Sequence, residues 1–179
     1  KGALAELARR YRVDAERVAV AGFSDGASGC FHLLAHAPDA FASFVALMGN
    51  PIVSRVVGGP MCLGNATARP VFALSGGVDQ LYPAEQIQPL IEELRRGGAD
   101  IAWEGLPEAG HDLQAALTKV AEIQAFVSQH PRQALPPKVD WECALPHVDG
   151  RRAWVEILAV SAAAPGTPEL LLQPLPVPS

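Results

Sequence analysis

Three residues, far apart in a chain of 179, have the types needed for nucleophilic acyl chemistry: Ser24, Asp79 and His111. A serine hydroxyl is a weak nucleophile until a base takes its proton. That base is ordinarily an imidazole oriented by a carboxylate. Ser24 sits in Gly22-Phe23-Ser24-Asp25-Gly26, which fits G-x-S-x-G. The motif gains force from its surroundings. Residues 18–21 form a short apolar run that reads as a fully buried parallel strand. Residues 27–37 read as a helix with Phe31, Leu34 and Ala35 on one face. A strand, a sharp turn with serine at its apex, and then a helix is the context in which this pentapeptide presents a reactive hydroxyl. Side chains at Gly22 and Gly26 are expected to clash with the neighbouring strand and helix. The helix aims its first N–H groups at the place where an oxyanion would form, and the backbone N–H of Asp25 is the expected donor.

Competing glycine-loop readings fit less well. The spacing Gly22, Gly26, Gly29 is not G-x-G-x-x-G, and no Gly-Lys-Ser/Thr is present, which excludes a P-loop. Among the other histidines, His32 and His36 lie on the helix after Ser24 and point elsewhere, and His130 and His147 lie in proline-rich segments. Among the carboxylates, Asp112 is too close in sequence to His111, and Asp25 directly follows the serine. Asp79 is therefore the expected acid.

These side chains need elements that bring them together. Leu4, Leu7, Ala8 and Tyr11 recur at helical spacing, so residues 2–12 read as an amphipathic helix. Further apolar strands are expected at 43–48 and 71–75, and a less apolar one at 100–105, as suits a sheet edge. Ile87, Leu90, Ile91 and Leu94 mark a helix that Gly97-Gly98 stops; Pro89 fits it only in the first turn. Leu113, Leu117, Val120, Ile123 and Val127 mark one long helix after His111. This alternation implies a parallel sheet with right-handed crossovers. In such a sheet, working residues leave the carboxyl ends of strands. Ser24 follows the first strand, Asp79 the third and His111 the fourth, so all three belong to one rim.

With their flanks, Ser24, Asp79 and His111 resemble the α/β-hydrolase superfamily, in the order Ser, Asp, His. Gly76-x-x-Asp79-x-x-x-Pro83 and Pro107-x-Ala-Gly-His111 resemble its dienelactone-hydrolase, prolyl-oligopeptidase and polyhydroxybutyrate-depolymerase-like esterase branches, over residues 3–130. Ser75-Gly76 stands where His-Gly is usual. The resemblance implies an acyl-enzyme: Ser24 attacks, His111 shuttles the proton and Asp79 orients His111. It also implies an eight-stranded sheet, of which this chain carries the last four strands. On that comparison the loop giving a second oxyanion donor is absent, a loss of roughly 3 kcal/mol of transition-state stabilisation. The first strand would be an open edge. The expectation is a C-terminal portion of a longer hydrolase, with an N-terminal half as structural partner.

The expected fold class is thus α/β, a partial α/β-hydrolase fold over residues 1–130. An antiparallel β-hairpin is appended at 131–160, built from the alternation at Val139, Trp141 and Cys143 and residues 152–157 around a turn at Asp149-Gly150. A proline-rich tail, 161–179, is expected to be poorly ordered; nine of the sixteen prolines lie beyond residue 130.

Bulk properties bound the function. Hydrophobic content of 49% and charged content of 18% describe a globular protein. A net charge of -5 argues against nucleic acid or an anionic membrane as partner. No run approaches the length of a transmembrane helix. Three cysteines without C-x-x-C give no zinc knuckle, so no metal and no cofactor is expected; Cys30 reads as a small core residue. Asn65-Ala66-Thr67 matches a glycosylation sequon but reads as a loop turn. The leading functional reading is a serine hydrolase of small or polymeric carboxylic esters. A non-catalytic remnant acting as a binding module and a serine peptidase of the prolyl-oligopeptidase type are the alternatives. Localisation is open in this reading.

Overall fold

The computed structural model describes residues 2–53, 62–132, 136–143, 150–160 and 170–174. Helix α1 (Gly2–Arg10) leads through a short 3-10 turn into β1 (Ala19–Phe23), α2 (Asp25–His36) and β2 (Ser43–Leu47). After a long connection come β3 (Val71–Gly76), α3 (Ala84–Arg96) and β4 (Ile101–Leu106). Helices α4 (Leu113–Leu117) and α5 (Val120–Gln129) complete this part. The four strands form one parallel sheet in the order β1-β2-β3-β4.

Strands β2 and β3 are buried along their whole length, as their unbroken apolar sequences require. Alternate residues feed two cores. Phe44, Ala46, Val71 and Ala73 pack under α2 and α3 with Phe31, Leu34, Ile87 and Ile91. Val45, Leu47, Phe72 and Leu74 face the other way, onto Ala116 and Phe126 of α4 and α5. The sheet therefore carries helices on both faces, the layering that βαβ crossovers produce.

Several expectations need correction. Strand β1 is half-buried, with Ala21 exposed, because it is the outermost strand of the sheet among the described residues. Helix α2 begins at Asp25, two residues early, since the turn at Ser24 delivers the chain directly into helix. Pro89 lies in the second turn of α3. It faces outward, so the Glu85 carbonyl it leaves without a partner can be hydrated. The stop at Gly97-Gly98 holds: Gly98 adopts φ +96°, and the amides of Gly97, Gly98 and Ala99 close onto the last turn.

The single long helix after His111 is two helices. At the break, the Thr118 hydroxyl donates to the Ala115 carbonyl at 2.6 Å, and the amides of Thr118 and Lys119 bond three residues back rather than four. Lys119 sits at the corner, paired with Glu104 at 2.8 Å and Glu122 at 3.1 Å. Apolar periodicity continues across the break because α5 packs on the same face of the sheet as α4.

Beyond this part lies a small antiparallel sheet, β5 (Arg151–Arg152), β6 (Val155–Val160) and β7 (Leu170–Pro174), in that order. The hairpin is therefore present with different arms. Val139, Trp141 and Cys143 lie outside any strand, and β6 pairs instead with 170–174 from the proline-rich tail. Asp149 of the expected turn lies outside the described residues, as do 161–169 and 175–179 of the tail.

What holds residues 141–143 and 150–153 against the α/β part is polar. Asn65 is fully buried. Its amide donates to the carbonyls of Ala35 and Glu142, both at 2.8 Å, and its carbonyl accepts the Glu142 N–H at 2.7 Å. The sequon asparagine is thus consumed as a backbone mimic and is closed to modification. Asp39 accepts from the Arg152 guanidinium and from the Ala153 amide at 2.6 Å, with Arg69 at 3.5 Å. Burial, reinforced by Arg152, pulls the Arg69 pKa down to about 10.

Replacing Asn65 by alanine removes the partner of the buried Ala35 carbonyl and of the part-buried carbonyl and amide of Glu142. Asn65→Ala is expected to cost about 2–4 kcal/mol, read as a lower urea midpoint at unchanged slope. A midpoint equal to that of the parent would refute this reading of the contact.

Candidate active site

The geometry begins with a problem of distance. Neighbouring strands are about 4.8 Å apart, so the ends of β1 and β3 are separated by roughly 9.6 Å with β2 between them. No direct contact between Ser24 and Asp79 can cross that gap, but an imidazole can bridge it. The imidazole comes from β4, which lies beyond β3 and farther still from Ser24. The loop after β4 must carry it back.

That return is made by backbone packed on backbone. The Gly77 amide donates to the Leu106 carbonyl at 2.8 Å and the Val78 amide to the Ala109 carbonyl at 3.0 Å. A Cβ at Gly76 would come within 2.5 Å of the Ala109 carbonyl oxygen, and one at Gly77 would overlap the Pro107 carbonyl. Two glycines therefore let the loop carrying Asp79 and the loop carrying His111 run in direct contact.

Each side chain is then fixed. Asp79 is 2% exposed. Its Oδ1 accepts the amides of Leu81 at 2.8 Å and Tyr82 at 2.9 Å, which leaves Oδ2 for His111 Nδ1 at 2.7 Å. Burial alone would raise the Asp79 pKa. The Tyr82 amide, the His111 imidazole and the Leu81 amide together outweigh it and hold the carboxyl below its ordinary value. An ionised Oδ2 can only accept, so Nδ1 carries the ring proton and Nε2 presents its lone pair. His111 Nε2 lies 2.8 Å from Ser24 Oγ.

Ser24 itself sits at φ 57° and ψ -121°, a conformation that costs a non-glycine residue about 1–3 kcal/mol. Its surroundings over-determine it. The Ser24 amide donates to the Leu47 carbonyl at 2.9 Å, and the amides of Ala27 and Ser28 bond to the Ser24 carbonyl. Ala27, Phe31 and Leu34, each no more than 4% exposed, anchor α2 beneath the turn. Burying Phe31 and Leu34 alone is worth about 3–6 kcal/mol, more than the strain. The Ser28 hydroxyl accepts the Asn50 amide at 3.1 Å and ties the helix to the loop leaving β2.

All three expected residues are thus within hydrogen-bonding distance in sequence. Asp25 occupies the first position of α2, where its amide has no helical carbonyl to reach. His32 stacks against His36 on α2, 4.5 Å between ring centroids, and His130 bonds to the Phe126 carbonyl. Asp112 caps α4 by accepting the Gln114 amide at 2.8 Å. Among the described residues no cluster of three or more histidines, cysteines or carboxylates could hold a metal. Cys30 is a core residue whose thiol burial pushes its pKa up to about 11.

Of the two glycines flanking Ser24, only Gly22 is sterically required. A Cβ at Gly22 would overlap the backbone of Gly26, whereas a Cβ at Gly26 meets nothing within 4 Å. Sequence reasoning also passed over Phe23 and Tyr82, whose rings lie against His111. Position alone could have flagged them, since one precedes Ser24 and the other follows Asp79 by three. Ser75, at the end of β3, accepts the Trp103 indole N–H at 3.0 Å and ties β3 to β4 just before both loops leave the sheet.

Two outcomes are expected. Gly22→Ala should unfold the turn or cost several kcal/mol, while Gly26→Ala should stay within about 1 kcal/mol of the parent. Equal effects in thermal melts would contradict the steric account. Asp79 has a depressed folded pKa, so its stabilisation is present above its unfolded value, near 3.8, and fades as pH falls through the lower folded value. Asp79→Asn should therefore lose stability less steeply than the parent as pH falls below about 4 in denaturant titrations. Parallel curves would contradict this.

Comparison with known proteins agrees with this architecture. The model of the dienelactone hydrolase family matches residues 1–133. A curated Yersinia pestis protein assigned as a carboxymethylenebutenolidase is 32% identical over 114 residues, covering 62% of this chain and 42% of that protein. A Klebsiella pneumoniae structure assigned as a dienelactone hydrolase superposes with a TM-score of 0.59 at 23% identity, over 71% of this chain and 58% of that one. The Bacillus cereus carboxylesterase gives 0.54 at 23% identity, over 70% and 56%. The match thus spans less than half of the curated relative. The parallel sheet, its flanking helices and the family match together place this chain in the dienelactone hydrolase family.

Proposed function

We propose that the protein hydrolyses carboxylic esters through an acyl-enzyme, with Ser24 as nucleophile, His111 as general base and acid, and Asp79 as the group that orients His111. The observation that carries this reading is the unbroken chain of contacts from Asp79 Oδ2 through His111 to Ser24 Oγ, at 2.7 and 2.8 Å. Family membership adds ester chemistry as the substrate class.

In this mechanism Ser24 Oγ attacks the ester carbonyl as its proton passes to His111 Nε2. The carbonyl π electrons move to oxygen, and the Asp25 amide at the tip of α2 donates to that oxyanion. Collapse breaks the C–O bond of the ester. The leaving alkoxide takes the proton from His111 and departs as an alcohol, leaving Ser24 acylated. Water then attacks the acyl carbonyl, giving its proton to His111, and the carboxylic acid leaves as Ser24 Oγ is reprotonated. Throughout, Asp79 stays ionised and stabilises the imidazolium. Its low pKa serves that role, since a protonated carboxyl could not accept the Nδ1–H bond.

A fluorophosphonate probe tests the assignment. The adduct is expected on the peptide containing Ser24 and is expected to vanish in Ser24→Ala. A folded sample that takes no label, or takes it elsewhere, would overturn the reading. Asp79→Asn should lower kcat on a p-nitrophenyl ester by about 10⁴, because the amide reverses the ring tautomer. A loss below about tenfold would remove Asp79 from its role.

A further inference from the structure

The His111 imidazole lies against two aromatic rings. The Phe23 ring centroid is 5.0 Å away with the planes tilted by 47°, and the Tyr82 centroid is 5.9 Å away, edge to face at 69°. Neither ring is a chance neighbour. Phe23 is bonded to Ser24, and Tyr82 supplies one of the two amides that hold Asp79 Oδ1. Phe23 closes β1 directly before Ser24, and Tyr82 belongs to the loop that carries Asp79, so each ring adjoins one of the two hydrogen-bonding partners of His111.

The two hydrogen bonds of the imidazole hold the ring only while both are made. Rotation about Cα–Cβ would swing the ring away from Ser24, and the His111 side chain is 19% exposed on that rim. Aromatic neighbours oppose that swing by contact. They also act at a particular moment in the reaction. Once Nε2 takes the serine proton the ring is a cation, and a cation within about 6 Å of an aromatic centroid is attracted to the π face. The Phe23 centroid, at 5.0 Å, lies within that distance in the resting geometry.

We propose that Phe23 and Tyr82 are positioning residues that keep the His111 imidazole aligned on Ser24 and favour it in its cationic form; the proposal rests on the ester-hydrolase reading. Because the cation exists only after proton transfer, the contribution belongs to the transition state. It should appear in kcat and leave KM unchanged.

The test uses p-nitrophenyl butyrate. Phe23→Leu keeps apolar bulk but removes the ring, and kcat is expected to fall about tenfold with KM within about twofold. Phe23→Tyr restores the ring and should recover most of the lost rate. Tyr82→Leu should behave as Phe23→Leu does, while Tyr82→Phe, which keeps the ring, should recover most of the rate lost in Tyr82→Leu. Leucine variants at the parent kcat, a change confined to KM, or failure of Phe23→Tyr to rescue would overturn the proposal. Phe23 also packs beside the core of α4 and α5, so a second readout independent of turnover is needed. The low-field proton resonance of the Nδ1–H···Oδ2 hydrogen bond should be sharp in the parent and lost to exchange in the Phe23→Leu/Tyr82→Leu double variant. Retention of that resonance in the double variant overturns the positioning role, even where the parent hydrolyses no ester. Turnover of the parent without any effect of the substitutions sinks this proposal and leaves the hydrolase reading standing.

Discussion

The site depends on the close approach of two loops, the one after β3 and the one after β4. A parallel sheet sets its strands at fixed intervals, and β4, whose following loop carries His111, is the strand farthest from Ser24. Only a loop that doubles back across β3 can deliver His111 to Ser24. The chain meets this requirement by letting Gly76 and Gly77 lie flat against the Pro107–Gly110 backbone, secured by the hydrogen bonds from Gly77 and Val78. Any side chain at either glycine would separate the loops by more than the length of a hydrogen bond allows.

Around that contact, unfavourable local conformations are offset by burial. Ser24 is held in a sparsely populated region of backbone space because α2 is anchored by residues with almost no exposure. Asp79 is buried yet kept ionised because three donors face its two oxygens. In each case the strained or charged group sits at the sheet rim, while the stabilising contacts lie one layer below. A rigid interior with a costly edge is the arrangement that holds the three side chains in register at the rim.

Much of this was legible in the sequence, for identifiable reasons. The first three strands announce themselves by apolar runs and the fourth by a less apolar one, and parallel topology then puts residues after β1, β3 and β4 on one rim whatever their separation along the chain. Tertiary details were not accessible in the same way. The Gly22 and Gly26 pair looks symmetric in sequence, yet only Gly22 is closed in by backbone. The break at Thr118 is invisible to periodicity because both helices face the same core. The partner of β6 was misread because alternation at Val139, Trp141 and Cys143 satisfies a strand pattern, while Asn65 instead draws Glu142 into side-chain pairing with its backbone. The contacts of Phe23 and Tyr82 with His111 were marked only by their positions beside Ser24 and Asp79, since a ring contact between segments remote in the chain leaves no trace in local periodicity.

The central claim is that contact between the two loops is what aligns His111 on Ser24. The most direct measurement is the rate of Ser24 phosphonylation in Gly77→Ala compared with the parent, in samples whose circular dichroism shows the sheet intact. The added methyl must push the Pro107 carbonyl away and carry His111 with it, so the rate should fall more than about tenfold. An unchanged rate in a folded Gly77→Ala protein would show that the imidazole finds the serine without this contact, and the account would be wrong.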